Sequence, residues 1–376
     1  MKIIAFYLPQ YHPTVHNNEW WGEGFTEWTN VAKAEKYFRG HYQPKVPADL
    51  GFYDLRIPEV REKQVELAKL AGVDAFCYYH YWFGNGHREL ERPFEEVLKS
   101  GKPDFPFCLC WANETWARKF WNKDGAVVGR DILVEQTYPG VDDYRNHFET
   151  ILPAFKDNRY VKIDGKPVFM IYSPLDFKDV KNFISLWNKW AQENGFSGVY
   201  FIAYTLNIAQ EYDALKRNGF NSVCCCRLRD IASCQAQSKI KNLAFKVYLR
   251  FRWYLTHSPR IFDYRKIYKK FIGSEEIDHE DVFPTLIPNW DHTPRSGRKG
   301  YLFTNSDPEH FKMHCEDVFS KISSKKEKKQ IVFLKSWNEW GEGNYMEPDL
   351  RYGLGFIDAL KKAKITIFKD QNYEKL

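Results

Sequence analysis

Two glutamates near the end of the chain, Glu339 and Glu342, carry the clearest chemical signal in the sequence. They stand three residues apart in the string SWNEWGEGNYMEPD. Glycosidic bond chemistry uses two carboxyl groups, one that protonates the leaving oxygen and one that acts as base or nucleophile. A chain that turns at Gly341 directs both side chains into one cavity, whereas an extended chain directs them to opposite faces. Gly341 and Gly343 favour the turn.

Two like charges at this spacing also predict that one carboxyl pKa is raised, so that one acid stays protonated near neutral pH. A third glutamate, Glu114, competes for a catalytic role. Asn113 and Glu114 repeat the Asn-Glu pair of Asn338 and Glu339, and both pairs follow a predicted strand end that contains Trp. Either glutamate could act with the other across the mouth of a barrel, and the residues leave this choice open.

Eight short, β-rich apolar segments predict the elements that position these residues. They are bounded by Gly, Pro or Asp and cover 2–9, 73–81, 106–114, 166–174, 199–206, 221–227, 285–291 and 330–340. Helical periodicity lies between them, which favours an α/β fold with a parallel sheet, because each parallel return needs a crossover. Eight such units that close on themselves form a (β/α)₈ barrel of the TIM type. A doubly wound sheet is the alternative, but no G-x-G-x-x-G follows any predicted strand.

The connections between these predicted strands are uneven in length. Residues 10–72 separate the first strand from the second, and an insertion at about 228–280 separates the sixth from the seventh. The insertion has no Gly/Ser-rich linker at either end. We therefore expect one catalytic barrel over residues 1–376, with a long connection after its first strand and a basic helical insertion between strands six and seven.

Function in such a barrel sits at the carboxyl ends of the strands, and Trp and Tyr gather there beside carboxylates. Aromatic rings offer apolar platforms to the C–H faces of a sugar, while acids and amides bind its hydroxyl groups. For any single ring, ordinary packing is the alternative interpretation. The predicted substrate-binding residues are Tyr7, His12, Glu27, Trp28, Tyr79, His80, Trp82, Trp111, Asn113, Asp291, Arg295, Trp337, Asn338, Trp340 and Glu347.

The charge distribution is uneven. The net charge of +6 is modest for 376 residues, and we expect no nucleic-acid partner. Segment 239–270 nevertheless carries ten Lys or Arg against a single acid, Asp263. This segment is either a solvated helix pair or a surface that contacts a membrane or an anionic glycan.

No metal or cofactor site is evident from residue spacing. His310 and His314 lack the intervening glutamate of a zinc protease motif, and Cys108 and Cys110 have no matching second pair. The consecutive cysteines 224–226 suggest reduced, buried thiols. No apolar run is long enough for a signal segment or a membrane span. We expect a cytoplasmic protein, with membrane association through segment 239–270 as the alternative.

Long strings along the chain, in order, resemble the WbsX-type family. They are AFYLPQYHP, WWGEGFTEWTNV, GHYQPKVPADLGFYDLR, CYYHYWF, LERPFEEVL, PDFPFCLCWANETW, DGKPVFMIY, PNWDHTPR and SWNEWGEGNYMEPD, within residues 2 to about 352. That family is associated with bacterial O-antigen and capsule gene clusters, and its members are commonly called glycosyltransferases. The chain is also distantly similar to the endo-α-mannosidases of glycoside hydrolase family 99, which are (β/α)₈ barrels.

The mannosidase resemblance implies a role for each glutamate. The W-N-E-W-x-E-G string of that family matches residues 337–343. It implies a retaining mechanism without a protein-bound intermediate. Glu339 would deprotonate the sugar 2-hydroxyl to give a 1,2-anhydro sugar, and Glu342 would protonate the leaving oxygen.

Three hypotheses about function follow. The first is a glycoside hydrolase or transglycosylase acting on an oligosaccharide or polysaccharide, lipid-linked or free. The second is a glycosyltransferase in O-antigen, capsule or lipopolysaccharide biosynthesis, which the expected cytoplasmic location favours. The third is a non-catalytic glycan-binding barrel, and the complete W-N-E-W-x-E-G string argues against it.

Overall fold

The computed structural model of the chain describes residues 1–121, 127–228, 231, 247, 251 and 258–373. Its strands are β1 (Lys2–Tyr7), β2 (Ala75–Trp82), β3 (Arg88–Glu89), β4 (Phe107–Trp111), β5 (Trp116–Trp121), β6 (Val127–Val134), β7 (Lys162–Ile163), β8 (Lys166–Ile171), β9 (Tyr200–Thr205), β10 (Ser222–Cys225), β11 (Arg260–Asp263), β12 (Val282–Leu286), β13 (Tyr301–Thr304), β14 (Ile331–Leu334), β15 (Asn338–Glu339) and β16 (Asn344–Tyr345). Its helices are α1 (Val15–Trp21), α2 (Glu27–Ala32), α3 (Pro58–Ala71), α4 (Arg92–Ser100), α5 (Val141–Lys156), α6 (Val180–Glu193), α7 (Ile208–Arg217), α8 (Tyr264–Ile267), α9 (Ser274–Asp278), α10 (Thr293–Ser296), α11 (Pro308–Ile322) and α12 (Gly355–Tyr373).

Eight parallel strands close into a barrel, which confirms the predicted fold class. Their order around the barrel is β1, β2, β4, β8, β9, β10, β12 and β14, the order in which they occur along the chain. β14 returns to β1, with Ile331 opposite Lys2, and β1 pairs with β2 on its other edge. Because β1 has a parallel neighbour on both edges, the sheet is closed, and the doubly wound alternative is excluded.

All eight predicted strands occur, but several predicted ends are wrong. The seventh strand begins at Val282, three residues before the expected start, and ends at Leu286. The eighth strand ends at Leu334, and the chain then forms the β15–β16 hairpin. Beyond Leu334 the polar side chains bond to other loops. Asn338 Oδ1, for example, accepts a hydrogen bond from the Leu8 backbone N–H at 2.8 Å.

Alternation along the strands divides the side chains between the barrel interior and the surrounding helices. Phe6 points inward, 5.5 Å from the ring of Tyr79 and 5.8 Å from that of Tyr204. Its neighbour Tyr7 points outward, and its hydroxyl donates to Gln64 Oε1 on α3 at 2.6 Å. Both faces of these strands are therefore buried, as is usual for parallel sheets.

The insertion between β10 and β12 differs from the expected helical segment. Of residues 239–270, the structure describes 247, 251 and 258–270, and the rest of the predicted basic segment lies outside the described residues. The described part begins with β11, which pairs in parallel with β13 outside the barrel. Short helical turns follow in α8, in a 3₁₀ turn at Tyr268–Lys270 and in α9. The expectation of a helical insertion is wrong for Arg260–Asp263. These residues form a strand because β13, which follows β12 in the chain, is available as a pairing partner.

Two smaller expectations concern cysteines and membrane spans. The seven cysteines within the described residues are buried and form no disulfide, and burial raises the pKa of Cys224 and of Cys225 well above the ordinary thiol value. This agrees with reduced, inert thiols. Every helix in the described part of the chain is too short or too polar to cross a bilayer.

The helix layer depends on large aromatic side chains, and Trp187 on α6 provides a stability test. Trp187 is fully buried, its ring lies 4.7 Å from that of Phe169, and its Nε1 donates to the Tyr144 carbonyl at 3.1 Å. Trp187→Ala should lower the free energy of unfolding by about 3–5 kcal/mol through loss of packing, measured by urea denaturation. Leu70→Ala, at a 38% exposed position, is the control. Equal losses in both variants would contradict this account.

Candidate active site

The glutamate loop (residues 337–345) makes the turn that Gly341 predicts. Glu339 ends β15, Trp340–Glu342 forms a 3₁₀ turn, and Asn344 starts β16 opposite Glu339. The turn brings both carboxylates to one guanidinium. Arg295 Nη2 lies 3.0 Å from Glu339 Oε1, and Arg295 Nη1 donates to Glu342 Oε1 at 2.7 Å. The two side chains therefore converge on the same guanidinium, which an extended chain would not allow.

Glycine is required at two positions of this loop. A β-carbon on Gly341 would collide with the Glu27 carboxylate and stand 3.1 Å from Arg295 Nε. Gly343 has φ +53°, and a β-carbon there would lie 2.7 Å from the Asp291 β-carbon. The loop can approach these neighbours only because it lacks side chains at these two places.

A single arginine holds three carboxylates at this site. Besides its contacts to Glu339 and Glu342, Arg295 donates from Nε to Glu27 Oε2 at 3.1 Å. His292 adds a second basic group, its Nε2 3.3 Å from Glu342 Oε1. Glu27 lies on α2 in the long connection after β1, and Arg295 lies on α10 after β12. The charge cluster therefore joins three loops at one end of the barrel.

Protonation is split between the two central glutamates. Burial, and then the charge of Glu342, raise the pKa of Glu339 to about 7. Burial also opposes ionisation of Glu342, but Arg295 and the hydrogen bond from His292 hold its pKa well below the usual range. The predicted split is present, with the higher pKa on Glu339 and the lower pKa on Glu342. The roles that the mannosidase resemblance implies need the proton on Glu342 instead.

An ammonium group surrounded by aromatic rings lies near the two glutamates. Lys335 is 4% exposed, and its Nζ donates to the Tyr79 hydroxyl at 3.3 Å. Burial opposes its charge, but Tyr172, Glu342 and Glu339 raise the pKa of Lys335 above its ordinary value. The rings within 6.0 Å of its Nζ belong to Phe6, Tyr79, Tyr172, Tyr204 and Trp290. Sequence reasoning missed Lys335, although its place in the eighth predicted strand, three residues before Asn338, was a signal.

Glu114, the competing candidate, follows β4 and is exposed. Its Oε1 accepts a hydrogen bond from Ser173 Oγ at 3.3 Å. Partial burial of the carboxyl group raises the pKa of Glu114, and the group is near enough to Lys335 and Glu342 to sense their charges. It therefore lies on the same side of the barrel as the glutamate pair but is not among the carboxylates that contact Arg295.

The glutamate loop is held from behind by Asp291 and by residues of the long connection. The Asp291 backbone N–H donates to the Glu342 carbonyl at 2.8 Å. The Asp291 carboxylate accepts from His41 Nε2 at 2.8 Å and from Gln43 Nε2 at 2.7 Å. Lys45 Nζ donates to the Gly343 carbonyl at 3.1 Å. Asp291 is buried, and these bonds make it a support of the loop, while its sugar-binding role stays a prediction.

His41, Gln43 and Lys45 were not predicted as functional residues. Their sequence signals are the alternating pattern of HYQPK and its place in one of the strings that resemble the WbsX-type family. Burial opposes the charge of Lys45 and lowers its pKa, while the Asp291 carboxylate counteracts this. Their contacts to Asp291 and Gly343 join residues far apart in the sequence, so local sequence patterns do not predict them.

Beneath the loop lies a buried platform. The Trp340 ring stacks on Tyr345 at 3.7 Å, and its Nε1 donates to Glu347 Oε2 at 2.7 Å. Glu347 also accepts from Gln64 and Tyr53, and burial raises its pKa to about 7. Trp340 and Glu347 are each 1% exposed, so they support the loop from beneath, and their sugar-binding role stays a prediction.

Trp28 belongs to the same platform. Its ring lies 5.6 Å from that of Trp340, and its Nε1 donates to the Tyr53 carbonyl at 2.7 Å. It packs under the loop and does not line the cavity.

Strand alternation also corrects the predictions around β2. Tyr79 and the unpredicted Tyr81 lie on the side of the strand that faces Glu339. Burial raises the pKa of both hydroxyl groups, and the charge of Glu339 raises it further. His80 points to α5, with its Nε2 2.8 Å from His147 Nε2, and burial lowers its pKa to about 3. Trp82 stacks on the same His147 at 4.6 Å. His80 and Trp82 therefore belong to the helix layer.

The remaining predicted residues are also engaged in internal contacts. Trp111 packs 4.8 Å from the His147 ring, and burial lowers the pKa of His12 to about 4 beside Asp54. Asn113 bonds the Ser173 backbone, Asn338 bonds the Leu8 backbone, Tyr7 bonds Gln64, and Trp337 packs on Phe76. Of the predicted residues, those gathered at the cavity are Glu27, Tyr79, Glu114, Arg295, Glu339 and Glu342.

Several solved structures are similar to this barrel in fold. The GH99 endo-alpha-mannosidase from Bacteroides thetaiotaomicron in complex with BIS-TRIS-propane superposes with a TM-score of 0.59 and 13% identity, over 99% of this chain and 98% of that one. A second structure of that enzyme gives a TM-score of 0.55 at 14% identity, over 100% and 98%. A glycoside hydrolase-like protein gives 0.56 at 15% identity, over 96% and 93%. At these sequence identities the likeness shows a common fold and does not extend to function.

Sequence comparison defines the family. Two proteins of Xanthomonas campestris pv. campestris, strains B100 and ATCC 33913, each described as uncharacterized protein WxcX, are 33% and 32% identical over 96% of this chain. The chain spans about half the length of these curated relatives, 49% in each case. Residues 3–360 match the family model described as Glycosyltransferase WbsX. The chain belongs to this WbsX family.

Proposed function

We propose that the protein acts on glycosidic bonds of a surface polysaccharide or its precursor, with Glu339 and Glu342 as the catalytic pair. One observation carries this proposal: a buried glutamate, Glu339, and a partly buried one, Glu342, share one guanidinium and have unequal pKa values. The pair occupies the carboxyl end of a barrel, where enzymes of this fold place their active sites. The family description and the likeness to glycoside hydrolases support the same chemistry.

The proposed mechanism retains the configuration at the sugar. Glu339 accepts the proton of the 2-hydroxyl, and the oxygen closes onto C1 to form a 1,2-anhydro sugar. In the same step Glu342 gives its proton to the departing glycosidic oxygen. Water or an acceptor hydroxyl then opens the ring at C1, its proton passing to Glu342, and Glu339 returns a proton to O2.

Substrate must first move the proton from Glu339 to Glu342. Arg295 is the first attraction that lowers the pKa of Glu342. A sugar hydroxyl that takes the place of Arg295 Nη1 would remove part of this attraction and raise the pKa of Glu342. Since the two carboxyls titrate as a coupled pair, the shared proton then transfers to the acid. Arg295 thereby links substrate binding to the protonation state that the reaction needs.

Transfer to a sugar acceptor is the second candidate function, and the WbsX family description favours it. The chemistry at the two glutamates is the same, because a sugar hydroxyl replaces water when the anhydro ring opens. Under the first candidate the substrate is an oligosaccharide or polysaccharide, free or lipid-linked. Under the second, a glycosyltransferase starts from an activated sugar and transfers it to such an acceptor.

The catalytic pair is tested by removing one carboxylate at a time. Glu342→Gln and Glu339→Gln should each lower turnover about 10²- to 10⁴-fold, since each loses a proton-transfer group. The assay uses α-linked mannosyl oligosaccharides and lipid-linked oligosaccharides. Glu66→Gln, at a 66% exposed carboxylate on α3, is the control and should leave turnover unchanged. Full activity in Glu342→Gln would exclude Glu342 as the acid.

A panel of nucleotide sugars separates hydrolysis from transfer. Under the hydrolase proposal we expect cleavage of oligosaccharides without any nucleotide sugar, detected by mass spectrometry of released glycans. Nucleotide release that requires an acceptor, with no cleavage of oligosaccharides, would exclude that proposal and establish the transferase.

The pH dependence follows from the raised pKa of Glu339. The mechanism needs the one proton that the pair shares, so kcat/KM should fall as pH rises through about 7, where Glu339 loses this proton. Arg295 lowers the pKa of both glutamates, so Arg295→Met should move this fall to higher pH. Arg298→Met, at an exposed neighbouring turn, is the control. A folded Arg295→Met protein with an unshifted profile would contradict the assigned role.

A further inference from the structure

A second convergence of polar side chains lies at His16, His87 and Glu89. His16 is on α1 in the long connection after β1, whereas His87 and Glu89 belong to the hairpin between β2 and β3. One ligand atom from each, an imidazole nitrogen or a carboxylate oxygen, lies within 4.8 Å of the other two. Among the described residues, this is the one group of three such donors. None of these residues belongs to the Arg295 cluster.

Both imidazoles are directed at one carboxylate oxygen. His16 Nδ1 lies 2.5 Å and His87 Nε2 lies 2.7 Å from Glu89 Oε1. The Glu89 side chain is 5% exposed, while those of His16 and His87 are 45% and 41% exposed. A nearly buried carboxylate thus forms the base of the group, and two half-exposed rings form its solvent side.

We infer that this group binds one divalent transition-metal ion of the Zn²⁺ class, through His16 Nδ1, His87 Nε2 and a Glu89 oxygen. Two histidines and one carboxylate are an established donor set for Zn²⁺, with a fourth position open to water. Ligand atoms about 2.0–2.2 Å from the metal in a tetrahedron are roughly 3.4 Å apart. Reaching that spacing needs each nitrogen to move away from the oxygen by less than about 1 Å. The half-exposed rings have solvent space for this movement.

Other histidines in the described residues lack one part of this arrangement. His80 and His147 contact each other without a carboxylate. His310 contacts Asp307 alone. The His41 ring is buried against Asp291 and donates its bond to a support of the glutamate loop. The combination of two imidazoles, one carboxylate and solvent access is therefore particular to the His16 group.

A metal here would brace one wall of the cavity. The His16 ring stacks on Trp20 at 5.5 Å, and Trp20 meets the Trp116 ring edge-on at 6.0 Å. Trp116 in turn lies 5.1 Å from the ring of Tyr81, which faces the cavity near Glu339. The ion would tie α1 to the β2–β3 hairpin and keep this chain of aromatic rings in place. Its role is structural, and it is independent of the proposed glycosidic chemistry.

Metal titration tests the site directly. The full chain, with any affinity tag removed, is stripped with a chelator and titrated with ZnCl₂ by calorimetry near neutral pH. We expect saturable binding of one ion per chain and a rise in melting temperature with metal. His87→Ala and Glu89→Gln should each weaken binding at least about 10- to 100-fold, which is the loss that follows when a metal site loses an outer partner. Co²⁺ in place of Zn²⁺ should show the intense visible absorption of a four-coordinate site.

His310→Ala is the matched control, since it removes a partly exposed histidine from an Asp pair and should leave the affinity unchanged. Circular dichroism checks that each variant is folded. If Glu89→Gln does not fold, His16→Gln, which changes the most exposed ligand, tests the site in its place. Absence of saturable binding by the wild-type chain, or binding that is the same in the wild type and His87→Ala, would overturn the proposal.

Discussion

The shared guanidinium of Arg295 is the interaction on which the site depends. Three carboxylates, from Glu27, Glu339 and Glu342, converge on it in a largely buried space. Like charges so close in a poorly solvated cavity repel strongly, and removing one partner of a buried ion pair leaves an uncompensated charge. The cluster also brings together the long connection, the loop after β12 and the glutamate loop. Arg295 therefore influences both the positions of the carboxylates and the pKa values of Glu339 and Glu342.

Most of the aromatic content serves packing. The 17% aromatic share suggests the lining of a carbohydrate cleft, and Tyr79, Tyr81 and the rings around Lys335 agree with that interpretation. Trp82, Trp111, Trp337 and Trp340, however, are among the largest fully buried side chains. They fill the helix layer and the platform under the glutamate loop. The aromatic residues near the strand ends therefore include two populations, of which one supports the cavity and the other lines it.

The family description names transfer, whereas the proposed reaction includes hydrolysis. Under the proposed mechanism one set of residues serves both, because the fate of the anhydro sugar depends on which hydroxyl attacks it after the leaving group departs. The two glutamates need not differ between the two outcomes.

The sequence by itself determined the eight-stranded barrel, the turn at Gly341 and the split in carboxyl pKa. Each follows from local patterns, namely apolar runs, glycine placement and close like charges. Only the tertiary structure decided which glutamate has the higher pKa, because Arg295 and His292 come from another loop. It also decided that Tyr79 faces the cavity while His80 and Trp82 do not, since a strand's inward face is set by its register against neighbouring strands. The same holds for His16, which meets His87 and Glu89 only when barrel closure brings their loops together.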